Sequence, residues 1–137
     1  MTGECTIVRR GGDHEGAQGL SYASGVTSTT SSTRALCLTT AELPPGRRSA
    51  CHLHRGIESA GYVASGTLEF WWGAQLENHA VLQTGDFAHI PADVPHVIGT
   101  PADASAVIVV AHSSAGDQDG IELLPELDRL LDTQTTS

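Results

Sequence analysis

The chain has 137 residues, and 16 acidic residues against 7 arginines give it a formal net charge of −9. This length suits a single domain with a hydrophobic core of its own. Without a basic run, the acidic balance argues against nucleic acid and against an anionic membrane surface as partners.

The first residues do not resemble a targeting segment. Residues 1–8 lack a long apolar run behind basic residues, so we expect no secretory signal. No apolar run approaches the roughly 18–20 residues of a membrane span. Cys5, Cys37 and Cys51 are an odd set without C-x-x-C spacing, which argues against a disulfide framework. We therefore expect a cytoplasmic, reduced protein, and its Arg-only, Ala- and Gly-rich composition favours a bacterial source.

Short apolar runs between glycine and proline turns favour strands over helices in most of the chain. Residues 1–19 are predicted to form an irregular arm with a short strand at 6–8. Ser65-Gly66 is predicted to be a hairpin turn. Turns spaced every 8–12 residues predict a β-sandwich or barrel. Strands are predicted over residues 20–23, part of 24–33, 35–43, 49–54, 57–64, 67–72, 79–83, 87–90, 96–99 and 105–112.

The end of the chain has a helical period. Pro125 suits a first helical turn, and Leu127, Leu130 and Leu131 recur at helical spacing. This pattern predicts one short helix packed on the outside of the barrel. We expect one domain over residues 1–137, made of an arm (1–19), a barrel (20–112) and a tail with the helix (113–137).

Two histidines lie one residue apart near the middle of the chain. In an extended strand, His52 and His54 point to the same face. Gly56 then allows a bend that brings the carboxylate of Glu58 toward them. A later strand and proline-fixed turn end in His96, which adds a third imidazole. Three imidazoles and a carboxylate form a ligand shell for a first-row transition metal.

These residues lie in two stretches that resemble the two sequence motifs of the cupin superfamily. The first stretch runs from Gly46 through the two early histidines to Gly66, and the second runs from Gly85 through Pro91 to His96. Gly66 lies one residue beyond the usual spacing. Further likeness to small bacterial single-domain RmlC-like cupins is carried by residues 62–66, 87–96 and 123–128.

The resemblance implies an all-β cupin fold, a double-stranded β-helix or jelly-roll barrel with one short C-terminal helix. In that family the matching positions hold one divalent transition metal ion, which here makes His52, His54, Glu58 and His96 the expected ligands. Fe(II) is favoured, while Zn, Mn, Ni, Co and Cu also suit these donors. Similar cupins commonly dimerise through sheet edges, so we expect a homodimer.

Three residues near the expected ligands are candidates for catalysis. Tyr62 shares the parity of Glu58 along its strand, so it is predicted to face the cavity, where a phenol can orient substrate or relay a proton. A barrel-core role suits this ring equally well. Glu58 is either a permanent ligand or a base that detaches from the metal. His89 either lines the cavity or points outward.

The expected function is that of a mononuclear metal-dependent enzyme acting on a small organic molecule, with a dioxygenase or other oxidoreductase favoured. The alternatives are a non-redox isomerase, cyclase or lyase that uses metal-assisted acid/base chemistry, and a metal-containing binding protein without turnover. Ligand histidines must be neutral, so the sequence predicts that metal affinity falls below about pH 6–6.5.

Overall fold

Ten strands and one helix make up the part of the chain that the computed structural model describes, residues 3–9 and 13–134. The predicted all-β class with one short C-terminal helix is confirmed. The elements are β1 (Asp13–Glu15), β2 (Ser21–Val26), β3 (Cys37–Leu43), β4 (His52–His54), β5 (Ser59–Trp72), β6 (Asn78–Gln83), β7 (Phe87–Ile90), β8 (His96–Gly99), β9 (Ala106–His112), β10 (Ile121–Leu123) and α1 (Pro125–Gln134).

The antiparallel strands form one curled sheet with the order β1-β2-β3-β9-β5-β8-β4-β10, and β6 and β7 also pair with β5. Alternating burial shows why these segments are strands. In β3, Cys37, Thr39, Ala41 and Leu43 are buried while the residues between them are more exposed. Period-two burial of this kind is typical of a strand with one face on a core.

The long strand β5 joins the two halves of the barrel. Its first half pairs with β7 and β9, and its second half pairs with β6 and β8. The predicted hairpin turn at Ser65-Gly66 is wrong, because the strand continues through these residues. A register shift against β9 between Val63 and Ser65 bends the strand instead. Such a bulge turns a strand sharply without ending it.

Gly66 is required at this bend for two reasons. Its φ is +88°, a left-handed conformation that suits glycine. A Cβ added there would also lie only 2.0 Å from the carbonyl oxygen of Ser105 on the neighbouring chain segment. The glycine therefore allows the close approach of β5 to the start of β9.

Strands also occur at both ends, outside the predicted barrel. β1 lies within the predicted irregular arm and pairs with β2. β10 lies within the predicted tail and pairs with β4. The strand predicted at residues 6–8 is not formed, and the strand predicted over 49–54 is shorter, beginning at His52. The edge strand β10 covers β4 and so encloses the two early histidines.

The hydrophobic core has two parts. The larger part fills the barrel, and the smaller part lies between the barrel and α1, where Leu131 is buried with Cys51, Leu76 and Val97. This placement confirms the predicted helix packed on the outer surface. No helix in the described ranges is long and apolar enough to span a membrane. The barrel core contains Leu20, Tyr22, Ala41, Leu43, Val63, Leu68, Phe70, Ile98, Ala106 and Ile108.

Candidate metal centre

Three histidines from two neighbouring strands converge inside the barrel. His52 and His54 lie on β4, and His96 begins β8 directly opposite His52. All three are buried, at 3–4% exposure. One ring nitrogen from each lies within 4.8 Å of those of the other two. The structure therefore brings together the three imidazoles that the sequence predicts.

The rings face one another closely. The ring centroids of His52 and His96 are 4.3 Å apart, and those of His52 and His54 are 5.2 Å apart. The centroids of His54 and His96 are separated by 5.6 Å. Three buried imidazoles at such distances are a donor set that suits a first-row transition metal.

Hydrogen bonds orient two of these rings for coordination. Nδ1 of His52 lies 2.8 Å from the carbonyl oxygen of Ala50, and Nδ1 of His96 lies 3.0 Å from that of Val94. A carbonyl oxygen only accepts, so each Nδ1 carries the proton and each Nε2 keeps its lone pair for a ligand. This arrangement is common for metal-binding histidines.

His54 provides a separate test of whether a metal fits the site. Its Nδ1 is buried and has no hydrogen-bond partner within the described residues. A buried polar atom without a partner is unfavourable, and nearly all such atoms in folded proteins are satisfied. A buried nitrogen without a partner, beside three convergent imidazole donors, is typical of a site that binds a cation, so the residues present fit a metal ion.

Burial also keeps the cluster neutral. Removal from water lowers the pKa of His52 to about 4, lowers that of His96 well below its ordinary value, and lowers that of His54 as well. Neighbouring imidazoles act in the same direction on His52 and His96. The free site is therefore ready to bind a cation at neutral pH, and protons compete with metal at a lower pH than the sequence predicts.

Glu58, the expected fourth ligand, lies outside this cluster. Its side chain is 63% exposed, and its carboxylate lies 2.6 Å from Nε2 of His89, whose own side chain is 59% exposed. Glu58 faces outward because side chains alternate along a strand: β5 begins at the next residue, Ser59, whose side chain faces inward. The structure thus places Glu58 at the surface and not among the ligands, and of the two positions that the sequence leaves open for His89 it has the outward one.

Tyr62 is also placed on the outer face. It is 37% exposed, and its ring centroid lies 4.8 Å from that of Phe87. Tyr62 and Glu58 face the same side of the sheet, as the sequence predicts, but that side is the outer one. Neither the cavity-facing role nor the barrel-core role predicted for Tyr62 is therefore present.

Two residues that sequence reasoning missed lie beside the histidine cluster. His112, at the end of β9, is 6% exposed, and its ring centroid is 4.7 Å from that of His54. Its Nδ1 lies 2.6 Å from Oγ of Ser59, which is 3% exposed. Burial lowers the pKa of His112 to about 4. The sequence alone gave His112 no role at the site, since nothing local links it to the motifs.

A largely apolar cavity opens beside the cluster within the barrel. No acidic side chain lines it in the part of the chain that the structure describes. Its polar groups, apart from the imidazoles, come from Ser59, Tyr22 and Gln18. Oε1 of Gln18 is buried without a hydrogen-bond partner among the described residues. The apolar wall includes Leu68, Phe70, Leu82, Ile90, Ile98 and Ile108.

A family model described as a cupin domain matches residues 39–112, more than half of the chain. The chain belongs to the cupin family. No curated protein sequence matches this cupin. The match spans both histidine strands and His112, so the residues of the candidate centre all lie within the family domain.

Solved structures similar to this cupin share its fold at low identity. A cupin-like protein from Thermotoga maritima is 20% identical, with a TM-score of 0.65 over 86% of this chain and 87% of that one. The polyketide cyclase RemF from Streptomyces resistomycificus is 19% identical, with a TM-score of 0.66 over 88% and 79%. An oxalate decarboxylase variant from Bacillus subtilis is 14% identical, with a TM-score of 0.70 over 88% and 31%.

The position of Glu58 leads to a prediction about metal binding. We expect Glu58→Ala to keep metal stoichiometry and to change affinity by less than about threefold, because the exposed carboxylate lies outside the imidazole cluster. Isothermal titration of metal-free protein with Zn²⁺ measures both quantities. Glu69→Ala, which removes a partly exposed glutamate of β5, is the control. A loss of stoichiometry in Glu58→Ala alone would return Glu58 to the ligand set.

Proposed function

We propose that this cupin is a metal-dependent enzyme that acts on a small organic molecule by metal-assisted acid/base chemistry, as an isomerase, cyclase or lyase does. The observation that carries the proposal is the buried cluster of His52, His54 and His96 at the wall of a largely apolar cavity. A structural metal site has no need of such a cavity, whereas a site that takes a substrate does.

The charge of the site supports this chemistry. The three imidazoles are neutral, and the described cavity wall has no carboxylate. A divalent ion held there supplies Lewis-acid polarisation of a substrate oxygen. The neutral ligands leave its double charge undiminished, so the site favours an oxygen that is anionic or becomes anionic during reaction. A carbonyl compound that gives up a proton from the adjacent carbon to a water molecule develops an oxyanion of this kind.

The polar residues of the cavity suggest how a substrate is oriented. Burial raises the pKa of Tyr22 above its ordinary value, so its phenol stays protonated. Oε1 of Gln18 lacks a hydrogen-bond partner among the described residues. The apolar wall would contact the hydrocarbon or aromatic body of a substrate. The proposed substrate is therefore a small, mainly apolar carbonyl compound.

The similar structures are consistent with more than one reaction. One is named a polyketide cyclase and another an oxalate decarboxylase. Neither name describes incorporation of dioxygen, and we therefore place acid/base chemistry ahead of the dioxygenase that the sequence favours. A dioxygenase is the second candidate, because three neutral imidazoles also suit Fe(II). Action on a small molecule, homodimer formation and a cytoplasmic location stay predictions from the sequence.

Metal content and oxygen uptake test the proposal. We expect protein purified without added metal to contain zinc or manganese near one equivalent. It should exchange the α-protons of small aryl ketones for deuterium in D₂O without consuming oxygen, and His96→Ala should not. Iron together with oxygen uptake would support the dioxygenase. Metal without exchange or oxygen uptake would support a binding protein, and failure to bind any metal would overturn the enzyme proposals.

A further inference from the structure

We propose that His112 is a fourth imidazole ligand of the metal and that Ser59 positions it. Ser59 itself stands where the cupin motif has a carboxylate. This inference rests on the metal site of the proposed function and adds to it. It concerns two residues that the motif comparison leaves unassigned, and it follows from strand pairing, burial and one hydrogen bond.

Strand pairing places His112 at the site. Ser59 and His112 are directly opposite each other where β5 pairs with β9. Both side chains are buried, and both line the cavity that His52, His54 and His96 line. The ring of His112 lies against that of His54, with 4.7 Å between the centroids. His112 is thus the neighbour of the three-histidine cluster on the side of β9.

The hydrogen bond to Ser59 leaves one nitrogen of His112 for coordination. Oγ of Ser59 lies 2.6 Å from Nδ1. When the Nδ1 proton is donated to this hydroxyl, Nε2 keeps its lone pair, as in His52 and His96. Partners on the far nitrogen of a ligand histidine commonly fix its orientation. Ser59 would therefore orient the ring of His112, as backbone carbonyls orient the rings of His52 and His96.

The sequence spacing agrees with this exchange of roles. Gly66 lies one residue farther from Glu58 than the motif's glycine usually lies from its carboxylate. When the usual distance is counted back from Gly66, it reaches Ser59 instead. Ser59 faces inward and Glu58 faces outward, so the motif's carboxylate position is occupied by a hydroxyl. A hydroxyl that remains protonated is a weak metal ligand. The imidazole of His112, which is hydrogen-bonded to it, provides a stronger donor in the same region.

Counting the nitrogen ligands in the unmodified protein tests the inference directly. We expect X-ray absorption of the Zn²⁺-loaded protein to fit four imidazoles, and pulsed electron paramagnetic resonance of the Cu²⁺-loaded protein to show histidine couplings that diminish in His112→Gln. A fit to three imidazoles, with spectra that are unchanged in His112→Gln, would overturn the inference. This measurement does not depend on whether a more disruptive variant folds.

Affinity measurements provide the second test. We expect His112→Ala to weaken Zn²⁺ binding by more than about 100-fold and Ser59→Ala to weaken it by about 10-fold, the latter being typical for loss of a partner that orients a ligand. His89→Ala is the matched control, since that histidine is exposed on the outer face. Affinity within threefold of the original in His112→Ala would contradict a ligand role.

The failure of this inference differs from that of the proposed function. If the original protein binds no metal, the proposed function fails and the present inference fails with it. If it binds one metal ion through only three imidazoles, the proposed function stands and only the role of His112 and Ser59 is withdrawn.

Discussion

His96→Ala is expected to reduce metal affinity by more than about 100-fold, because it removes a ligand and not merely a partner that orients one, whose loss typically costs about 10–100-fold. Among the described residues, His96 provides one of the three ring nitrogen atoms of the close cluster, and its ring lies nearest to that of His52. Its removal therefore leaves the close cluster with two of its three nitrogen donors. Elemental analysis after dialysis, together with Zn²⁺ titration, measures the loss.

The variant should remain folded, which separates metal loss from unfolding. The barrel core is built from aliphatic and aromatic residues that do not include His96. His79→Ala, a substitution on the half-exposed outer side of β6, is the control and should bind metal as the original protein does. Circular dichroism checks both variants. Metal at the original stoichiometry in a folded His96→Ala protein would show that the histidine cluster is not the metal site.

That His52 and His54 share a face could be predicted, because it depends only on the local geometry of a strand. A strand places His52 and His54 on one face whatever its neighbours are, and both are buried together. His96 could be predicted as a third donor from the strand and proline-fixed turn before it and from the motif resemblance. The structure supplies the physical reason, since β8 pairs with β4 and places His96 opposite His52.

The carboxylate was misplaced because parity depends on where a strand begins. A bend at Gly56 precedes β5, and one residue more or less in that bend reverses every following side chain. The sequence contained a warning, since Gly66 stands one residue beyond the usual distance from Glu58. Counting back from Gly66 gives Ser59 the inward position and places Tyr62 outside with Glu58.

His112 could not be found from its own surroundings in the sequence. It ends an apolar run and has no motif around it, and 53 residues separate it from Ser59. Only the pairing of β9 with β5 brings the two together. Non-local strand pairing is the information that a single sequence carries least clearly, and here it brings His112 and Ser59 to the histidine cluster.

Acid is expected to destabilise the metal-free protein strongly. The pKa of His52 and that of His112 are each lowered to about 4 in the folded chain, mainly by burial. In the unfolded chain they return to about 6.5. Between these values the unfolded chain binds protons that the folded chain excludes, so stability is complete above about pH 6.5 and is lost as pH falls toward 4.

The size of this effect is comparable with the stability of a whole domain. Each histidine contributes about 1.4 kcal/mol per pH unit, so the pair can remove up to about 7 kcal/mol between pH 6.5 and 4, where domains have about 5–15 kcal/mol in total. Urea unfolding in the presence of a chelator, repeated from pH 7 to pH 4.5, measures the slope. His52→Gln/His112→Gln removes two of the four buried histidines whose pKa is lowered and should make the profile shallower. An equally steep profile in this double variant would mean that other groups cause the acid sensitivity.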